Sequence, residues 1–135
     1  MTKKIKIADK DYVIKVARYA DNDRIYLGLY DKNGWCNDIS VNLSFAPNFS
    51  LSQVYLSNDL TKEEKKALIK EGIIEKPTSR IPYNMSSYEV SKVDLEKLLE
   101  YDKVGIEDYY MAHGVYLDDE DENENEVNQT SEMER

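Results

Sequence analysis

Residues 24–43 read RIYLGLYDKNGWCNDISVNL, and this stretch decides the fold. Apolar residues occupy alternate positions on both sides of a central Asp-Lys-Asn-Gly run at positions 31–34. Alternation with a period of two is typical of a strand with one buried face, and Asn and Gly accept positive φ in a tight turn. The stretch therefore predicts a β-hairpin. Its inward residues are predicted to be Ile25, Leu27, Leu29, Ile39, Val41 and Leu43, and its outward polar residues Asp38, Ser40 and Asn42.

Shorter strand patterns lie on either side of this hairpin. Further strands are predicted at residues 4–7, 12–17, 53–57 and 87–93. The segment 76–83 contains Pro77 and Pro82. Because proline lacks a backbone N–H, this segment is predicted to form no regular element.

The clearest helical signal follows Thr61. Glu64 stands three residues later, which is the capping-box spacing, and Gly72 fits a left-handed helix stop. These signals predict a helix over residues 62–71. A second helix is predicted to begin at Asp94 and end near Gly105, and a short third helix would hold Ile106, Tyr109 and Tyr110.

Strands followed by helices predict an α+β fold. We expect a small antiparallel sheet of five to six strands with two to three short helices and an acidic C-terminal tail. Residues 1–116 are predicted to form a single domain, and residues 117–135 to form a disordered tail, because their composition leaves almost nothing to bury.

Charge is strongly segregated along the chain. Residues 1–100 contain 16 Lys/Arg and 15 Asp/Glu, whereas residues 101–135 contain two and 12. Seven of the nine residues at 118–126 (DDEDENENE) are acidic. Such a block resists compaction and attracts cationic surfaces. The net charge of -9 also argues against direct binding to nucleic acid.

Residue types that catalysis or metal binding usually requires are scarce. The chain has one histidine, His113, one cysteine, Cys36, and five scattered glycines. These numbers argue against a nucleophile-base pair, a zinc cluster or a phosphate-binding loop. We expect no enzyme activity, cofactor or metal. The N-terminal MTKKIKIADK lacks the apolar run of a signal peptide, and a cytoplasmic location is expected.

The acidic run has a charge spacing close to that of nucleic acid. An extended chain advances about 3.3 Å per residue, so the run presents roughly one charge per 4–5 Å, against about 3.4 Å per phosphate in one DNA strand. The residues predicted to bind a cationic groove are Asp118, Asp119, Glu120, Asp121 and Glu122. A tail that only solubilises the protein and binds no partner is the alternative.

Three tyrosines lie beside or within this acidic region. Tyr109, Tyr110 and Tyr116 are predicted to support partner binding, because buried aromatic rings supply affinity while carboxylates steer association. Core packing by the last helix is the alternative for these rings.

Several motifs between residues 12 and 93 resemble a known family. They are Tyr19, Asn22 and Arg24 in the segment that leads into the hairpin, the ISVNL strand at 39–43 and the EGIIE turn at 71–75. In these motifs the chain resembles domain-of-unknown-function family 4313, small accessory proteins of bacterial plasmids, conjugative elements and phages. The resemblance implies a mobile-element context, in which small acidic proteins are often counter-defence factors, and it transfers no catalytic residue.

Charge and context together predict a non-enzymatic, anti-CRISPR-like inhibitor. Its partner would be a host defence protein with a cationic nucleic-acid groove, such as an RNA-guided CRISPR nuclease. The alternative is a protein-interaction module for plasmid or conjugative-element maintenance, in which the sheet face binds the partner. No membrane partner is expected.

Overall fold

Two antiparallel sheets and three helices form an α+β fold in the computed structural model, which describes residues 3–44, 46 and 50–115. The predicted hairpin is present, with Tyr30 opposite Trp35 and Asp31 opposite Gly34. The first sheet contains, in order, β1 (Ile5–Ile7), β2 (Lys10–Arg18), β3 (Ile25–Asp31) and β4 (Gly34–Asp38).

The second sheet has the order β5-β6-β8-β7. Its strands are β5 (Ser40–Val41), β6 (Gln53–Leu56), β7 (Ser79–Tyr83) and β8 (Ser86–Lys92). The prediction of no regular element over 76–83 was wrong, because β7 includes Pro82. Since β7 is an edge strand, Pro82 can lie opposite Ser87 without an N–H to donate to a further strand.

The prediction of one sheet of five to six strands was wrong as well, because the strand predicted over 35–43 changes sheets at Ile39. The Ile39 N–H donates to the Leu27 carbonyl at 2.9 Å, and the Ile39 carbonyl accepts from the Ser57 N–H at 3.0 Å. The chain thus pairs with β3 up to Asp38 and with β6 from Ser40 onward.

Ser40, predicted to point outward, is buried. The Ser40 hydroxyl oxygen accepts from the Leu27 N–H at 3.0 Å and lies 2.9 Å from the Tyr19 hydroxyl. Both contacts lie beside the change of sheet, where the backbone no longer alternates strictly between two faces. The buried hydroxyl pairs a backbone N–H that β4 leaves free.

The helices are α1 (Lys62–Lys70), α2 (Leu95–Leu98) and α3 (Lys103–Ala112). The predicted capping box of α1 is confirmed: the Thr61 side chain accepts from the Glu64 N–H at 3.1 Å, and the Glu64 carboxylate accepts from the Thr61 N–H at 3.0 Å. Gly72 ends this region with a φ of 78°, as predicted.

The second predicted helix is shorter than expected, because Asp102 starts a new one. One carboxylate oxygen of Asp102 accepts from the Gly105 N–H at 3.1 Å and caps α3. The other accepts from the Val16 N–H at 2.9 Å, on the edge of β2 that extends past β1. Gly105 therefore lies inside α3, in close contact with β2, rather than at a helix end.

The larger of two buried clusters in the described part of the chain draws residues from both sheets and all three helices. Its most completely buried apolar members are Ile5, Ile14, Leu27, Leu29, Ile39, Leu56, Leu68, Ile73, Leu98 and Ile106. The inward residues predicted for β3 are confirmed as core residues. At roughly 25 cal/mol per Å² of apolar area removed from water, such burial is the main favourable contribution to folding.

Replacing Gly105 with alanine should destabilise the protein. A Cβ at this position would lie 2.4 Å from the Val16 carbonyl oxygen and 2.6 Å from an Asp102 carboxylate oxygen. The contact with backbone should outweigh the helix-propensity gain of up to about 1 kcal/mol and leave a net loss of about 1–2 kcal/mol in urea unfolding.

The matched control is Val104→Ala, since Val104 precedes Gly105 in α3 and is 76% exposed. Its change should stay within about 0.5 kcal/mol. A Gly105→Ala variant as stable as the control would show that α3 does not lie this close to β2.

Candidate partner-binding site

The two described tyrosines of the predicted site are buried in the core. Tyr109 is 2% exposed and Tyr110 is 9% exposed, beside the fully buried Ile106. The Tyr109 hydroxyl donates to the Leu51 carbonyl at 2.5 Å, and burial raises the pKa of Tyr109 to about 12. The structure therefore places both rings as the core-packing alternative describes, where they anchor α3.

The remaining predicted site residues lie outside the described residues. They are Asp118, Asp119, Glu120, Asp121, Glu122 and Tyr116. The structure does place the point from which they continue, since the described chain ends at Val115, three residues after α3.

The end of α3 is tied to the connection between β2 and β3. His113 Nε2 lies 2.6 Å from the Asp23 carbonyl oxygen, so this nitrogen carries a proton and donates. The His113 and Tyr109 rings meet edge to face with centroids 4.7 Å apart. Arg18 bridges Asp108 of α3 at 2.7 Å and Asp23 at 2.6 Å. We call Arg18, Asp23, Asp108 and His113 the exit corner.

The arginine side chains at and near the exit corner are already bound to other described residues. Arg18 is bound to two carboxylates, and these hydrogen-bonded contacts raise the pKa of its guanidinium. Arg24 donates to the carbonyls of Leu43 at 3.0 Å and Ala46 at 2.6 Å. Arg18 of the exit corner and the nearby Arg24 therefore both have partners within the described residues. The positive charge of these two side chains is thus already engaged by described residues.

The exposed side of α3 is not the side that carries Tyr109 and Tyr110, which were predicted to support partner binding. Val104 is 76% exposed and Met111 is 63% exposed. They are seven residues apart and so lie on one helix face, with Glu107 and Asp108 between them. The periodicity that correctly placed Ile106 and Tyr109 on one face implies this opposite face.

A second group of side chains lies on the outward face of β3 and β4, and the sequence analysis did not identify it. Tyr26 and Tyr30 flank Gly28 on β3, and an added Cβ on Gly28 would lie 2.1 Å from the Tyr26 hydroxyl oxygen. Glycine therefore leaves the space in which both rings cover the strand. The signal was present in the same alternation, which places residues 26, 28 and 30 opposite the inward leucines.

Asp38 is the polar centre of this group. One of its carboxylate oxygens, Oδ1, accepts from the Tyr26 hydroxyl at 2.7 Å and from Trp35 Nε1 at 2.9 Å. Since Tyr26 uses its proton on Asp38, the Tyr30 hydroxyl donates to Tyr26 at 3.3 Å. Burial, followed by these hydrogen bonds to Tyr30 and Asp38, raises the pKa of Tyr26. We call Tyr26, Tyr30, Trp35 and Asp38 the Trp35 cluster.

The described part of the chain contains no group of three His, Cys, Asp or Glu side chains placed to hold a metal ion. Among its helices, none has the length and apolar character needed to cross a membrane. Comparison of the chain with family models, curated proteins and solved structures gives no match. The resemblance to family 4313 stays a prediction.

Removing the Tyr109 hydroxyl tests how firmly α3 is anchored. Tyr109→Phe leaves the Leu51 carbonyl without its described donor, and we expect a loss of about 1–2 kcal/mol in the free energy of unfolding near neutral pH. Val104→Ala again controls for a change in α3.

This difference should shrink at high pH. The pKa of Tyr109 is about 12 in the folded protein and about 10 when unfolded. The folded state therefore holds its proton longer, and wild-type stability falls as pH rises from 10 towards 12. Tyr109→Phe lacks this loss, so the two unfolding free energies should converge between pH 8 and pH 11. A constant difference would contradict the burial of this phenol.

Proposed function

We propose that this protein is a non-enzymatic counter-defence inhibitor that places its acidic C-terminal segment in the cationic nucleic-acid groove of a defence nuclease. The observation on which the proposal rests is the segregation of charge, with 12 Asp/Glu against two Lys/Arg over residues 101–135. The preceding 100 residues are nearly balanced. A nearly neutral domain thus precedes a segment whose charge density approaches that of a polynucleotide.

The surroundings of the exit corner support the availability of this segment. Arg18 and Arg24 have carboxylate and carbonyl partners at 2.6–3.0 Å. Releasing either arginine to bind the acidic segment would break these contacts. Attraction of the segment to its own domain at this corner is therefore weak, and a cationic surface on another protein competes for it easily.

The partner we propose is an RNA-guided CRISPR nuclease of the host. Such nucleases hold nucleic acid in positively charged channels and read the adjacent DNA motif with arginine side chains. Asp118, Asp119, Glu120, Asp121 and Glu122 would occupy arginine and lysine side chains that otherwise bind phosphates. The mobile-element context implied by the resemblance to family 4313 fits a protein that protects incoming DNA.

In this proposal the described domain positions the acidic segment. Tyr109 and Tyr110 act from the core by anchoring α3, while Tyr116 precedes the acidic run. Inhibition would follow from occupancy of the groove and would require no chemical step.

The second candidate is an interaction module for element maintenance, with an acidic segment that only solubilises. The observation that favours it is Trp35 on β4, whose large aromatic side chain is 60% exposed on the face of the first sheet. Deleting residues 117–135 separates the two candidates, because only the second keeps full activity without them.

Neutralising five of the seven carboxylates of the acidic run should weaken inhibition. We expect Asp118, Asp119, Glu120, Asp121 and Glu122, changed together to Asn or Gln, to weaken inhibition of DNA cleavage by a purified RNA-guided nuclease by at least about tenfold. The variant keeps the length of the chain and removes five charges. Cleavage of a matched DNA duplex is measured against inhibitor concentration.

The control removes the same number of charges from the exposed surface of the domain. It changes Asp9 to Asn and changes Glu63, Glu71, Glu75 and Glu96 to Gln. Its inhibition should match the wild type. Equal inhibition by the wild type and the acidic-run variant would overturn the mechanism, and lack of inhibition by the wild type would overturn the proposed function.

Binding should also weaken steeply with salt. Carboxylates that replace phosphates in a groove leave the ionic character of the contact intact, so we expect at least about a tenfold loss of affinity between about 50 and 200 mM salt. A pulldown from host lysate at both concentrations, followed by binding measurements on the recovered nuclease, checks this. A partner retained equally at both concentrations would contradict electrostatic mimicry.

A further inference from the structure

We propose that the Trp35 cluster is a binding site for an arginine side chain of a protein partner. None of its four residues belongs to the acidic segment, and this inference does not depend on the function proposed for that segment. Trp35 and Asp38 lie together on the outward face of β3 and β4.

The indole ring of Trp35 is both exposed and held in place. It is 60% exposed, and its Nε1–H donates to Asp38 Oδ1 at 2.9 Å. An exposed aromatic ring that is already fixed loses little conformational freedom when a partner covers it. Trp is also among the residues that most often dominate binding energy at protein interfaces.

Asp38 brings a negative charge that the described residues leave without a cation. Both of its side-chain hydrogen bonds, from Tyr26 and from Trp35, arrive at the same oxygen, Oδ1. Among the described residues, no Lys, Arg or His nitrogen lies within 4.0 Å of this carboxylate. Its second oxygen, Oδ2, remains as an acceptor beside the exposed indole.

The protein itself shows that this surface accepts a cation. The Lys15 ammonium lies 4.7 Å from the centroid of the Tyr30 ring, which is within the range of a cation-π contact. Tyr30 is the cross-strand neighbour of Trp35. The Tyr30 ring is therefore already occupied by a cation, whereas the larger, more exposed Trp35 ring lacks one within the described part of the chain.

Arginine fits the remaining position better than lysine. Because the Nε1–H bond lies in the indole plane, Asp38 stands at the edge of the ring. A guanidinium stacked on the indole face can reach over that edge and donate to Oδ2 while keeping its planar contact. An ammonium has no plane to stack. Nucleobases can stack on Trp35 as well, but the free acceptor beside it is an anion, which repels phosphates.

The single tryptophan makes the proposal directly testable. Trp35 gives the only indole N–H resonance of the chain, and that N–H donates to Asp38. The probe is the blocked peptide acetyl-Gly-Arg-Gly-amide, titrated into the full ¹⁵N-labelled chain. We expect a saturable shift of the indole resonance, with at least about threefold weaker binding for the lysine peptide and no saturable shift for the neutral citrulline peptide.

Asp38→Asn is the matched protein variant. Asparagine keeps the size and the acceptor for Tyr26 and Trp35 but removes the charge, so the sheet should fold normally and the affinity for the arginine peptide should fall about fivefold to tenfold. Asp11→Asn is the control, since Asp11 lies on β2 and pairs with Lys6. It should leave the affinity unchanged.

Three results would overturn the inference. The first is an equal shift with the citrulline peptide, and the second is an unchanged affinity in Asp38→Asn. The third is a shift that disappears when the acidic run at 118–122 is neutralised, since the peptide would then bind that run; the function proposed above would survive this result. A saturable shift with an oligothymidine in place of the arginine peptide would instead identify a nucleobase site.

Discussion

The backbone of Ile39 makes hydrogen bonds to both sheets and fixes the point at which the chain passes from one to the other. Its N–H donates to the carbonyl of Leu27 on β3, and its carbonyl accepts from the N–H of Ser57, which follows β6 of the second sheet. Since the residue is fully buried, neither group can be satisfied by water if the neighbouring strand moves. β4 ends one residue earlier, at Asp38, and none of its residues is buried. Two of them, Trp35 and Asp38, form the Trp35 cluster with Tyr26 and Tyr30.

A second constraint operates at Asp102, which joins α3 to the open edge of β2. Its carboxylate caps α3 through Gly105 and accepts from the Val16 N–H, which no strand pairs in the described chain. An edge N–H that would otherwise invite another strand is thereby used to place a helix. Hydrogen bonds fix α3 at Asp102 and again at His113. They determine both the direction of the helix and the point at which the chain leaves it.

Local signals in the sequence predicted local structure well. The hairpin turn at residues 31–34, the capping box at Thr61 and the inward residues of β3 depend on neighbours a few positions away, and the structure confirms all three. Within the turn, Gly34 takes the positive φ, at 116°, and Asn33 does not. The errors share another cause. The change of sheet at Ile39 and the edge position of Pro82 depend on which strands lie beside them, and the start of α3 at Asp102 depends on a strand 86 residues away. Such pairings leave no periodic trace in the sequence.

The candidate site illustrates the difference between composition and orientation. Tyr109 and Tyr110 are of a residue type that is common at protein interfaces, but their positions in α3 direct both rings into the core. Strict alternation places Trp35 in phase with the inward Ile39, but the register shift at Leu29 and Tyr30 sets Trp35 opposite Tyr30, and the ring is exposed. The two surfaces also differ in physical range. Clustered charge attracts a partner over about one Debye length, roughly 8–10 Å, whereas a stacked ring with one carboxylate acts only on contact. A cationic partner guided by the acidic segment would therefore still need a contact surface to fix its orientation, and the Trp35 cluster has the geometry for that role.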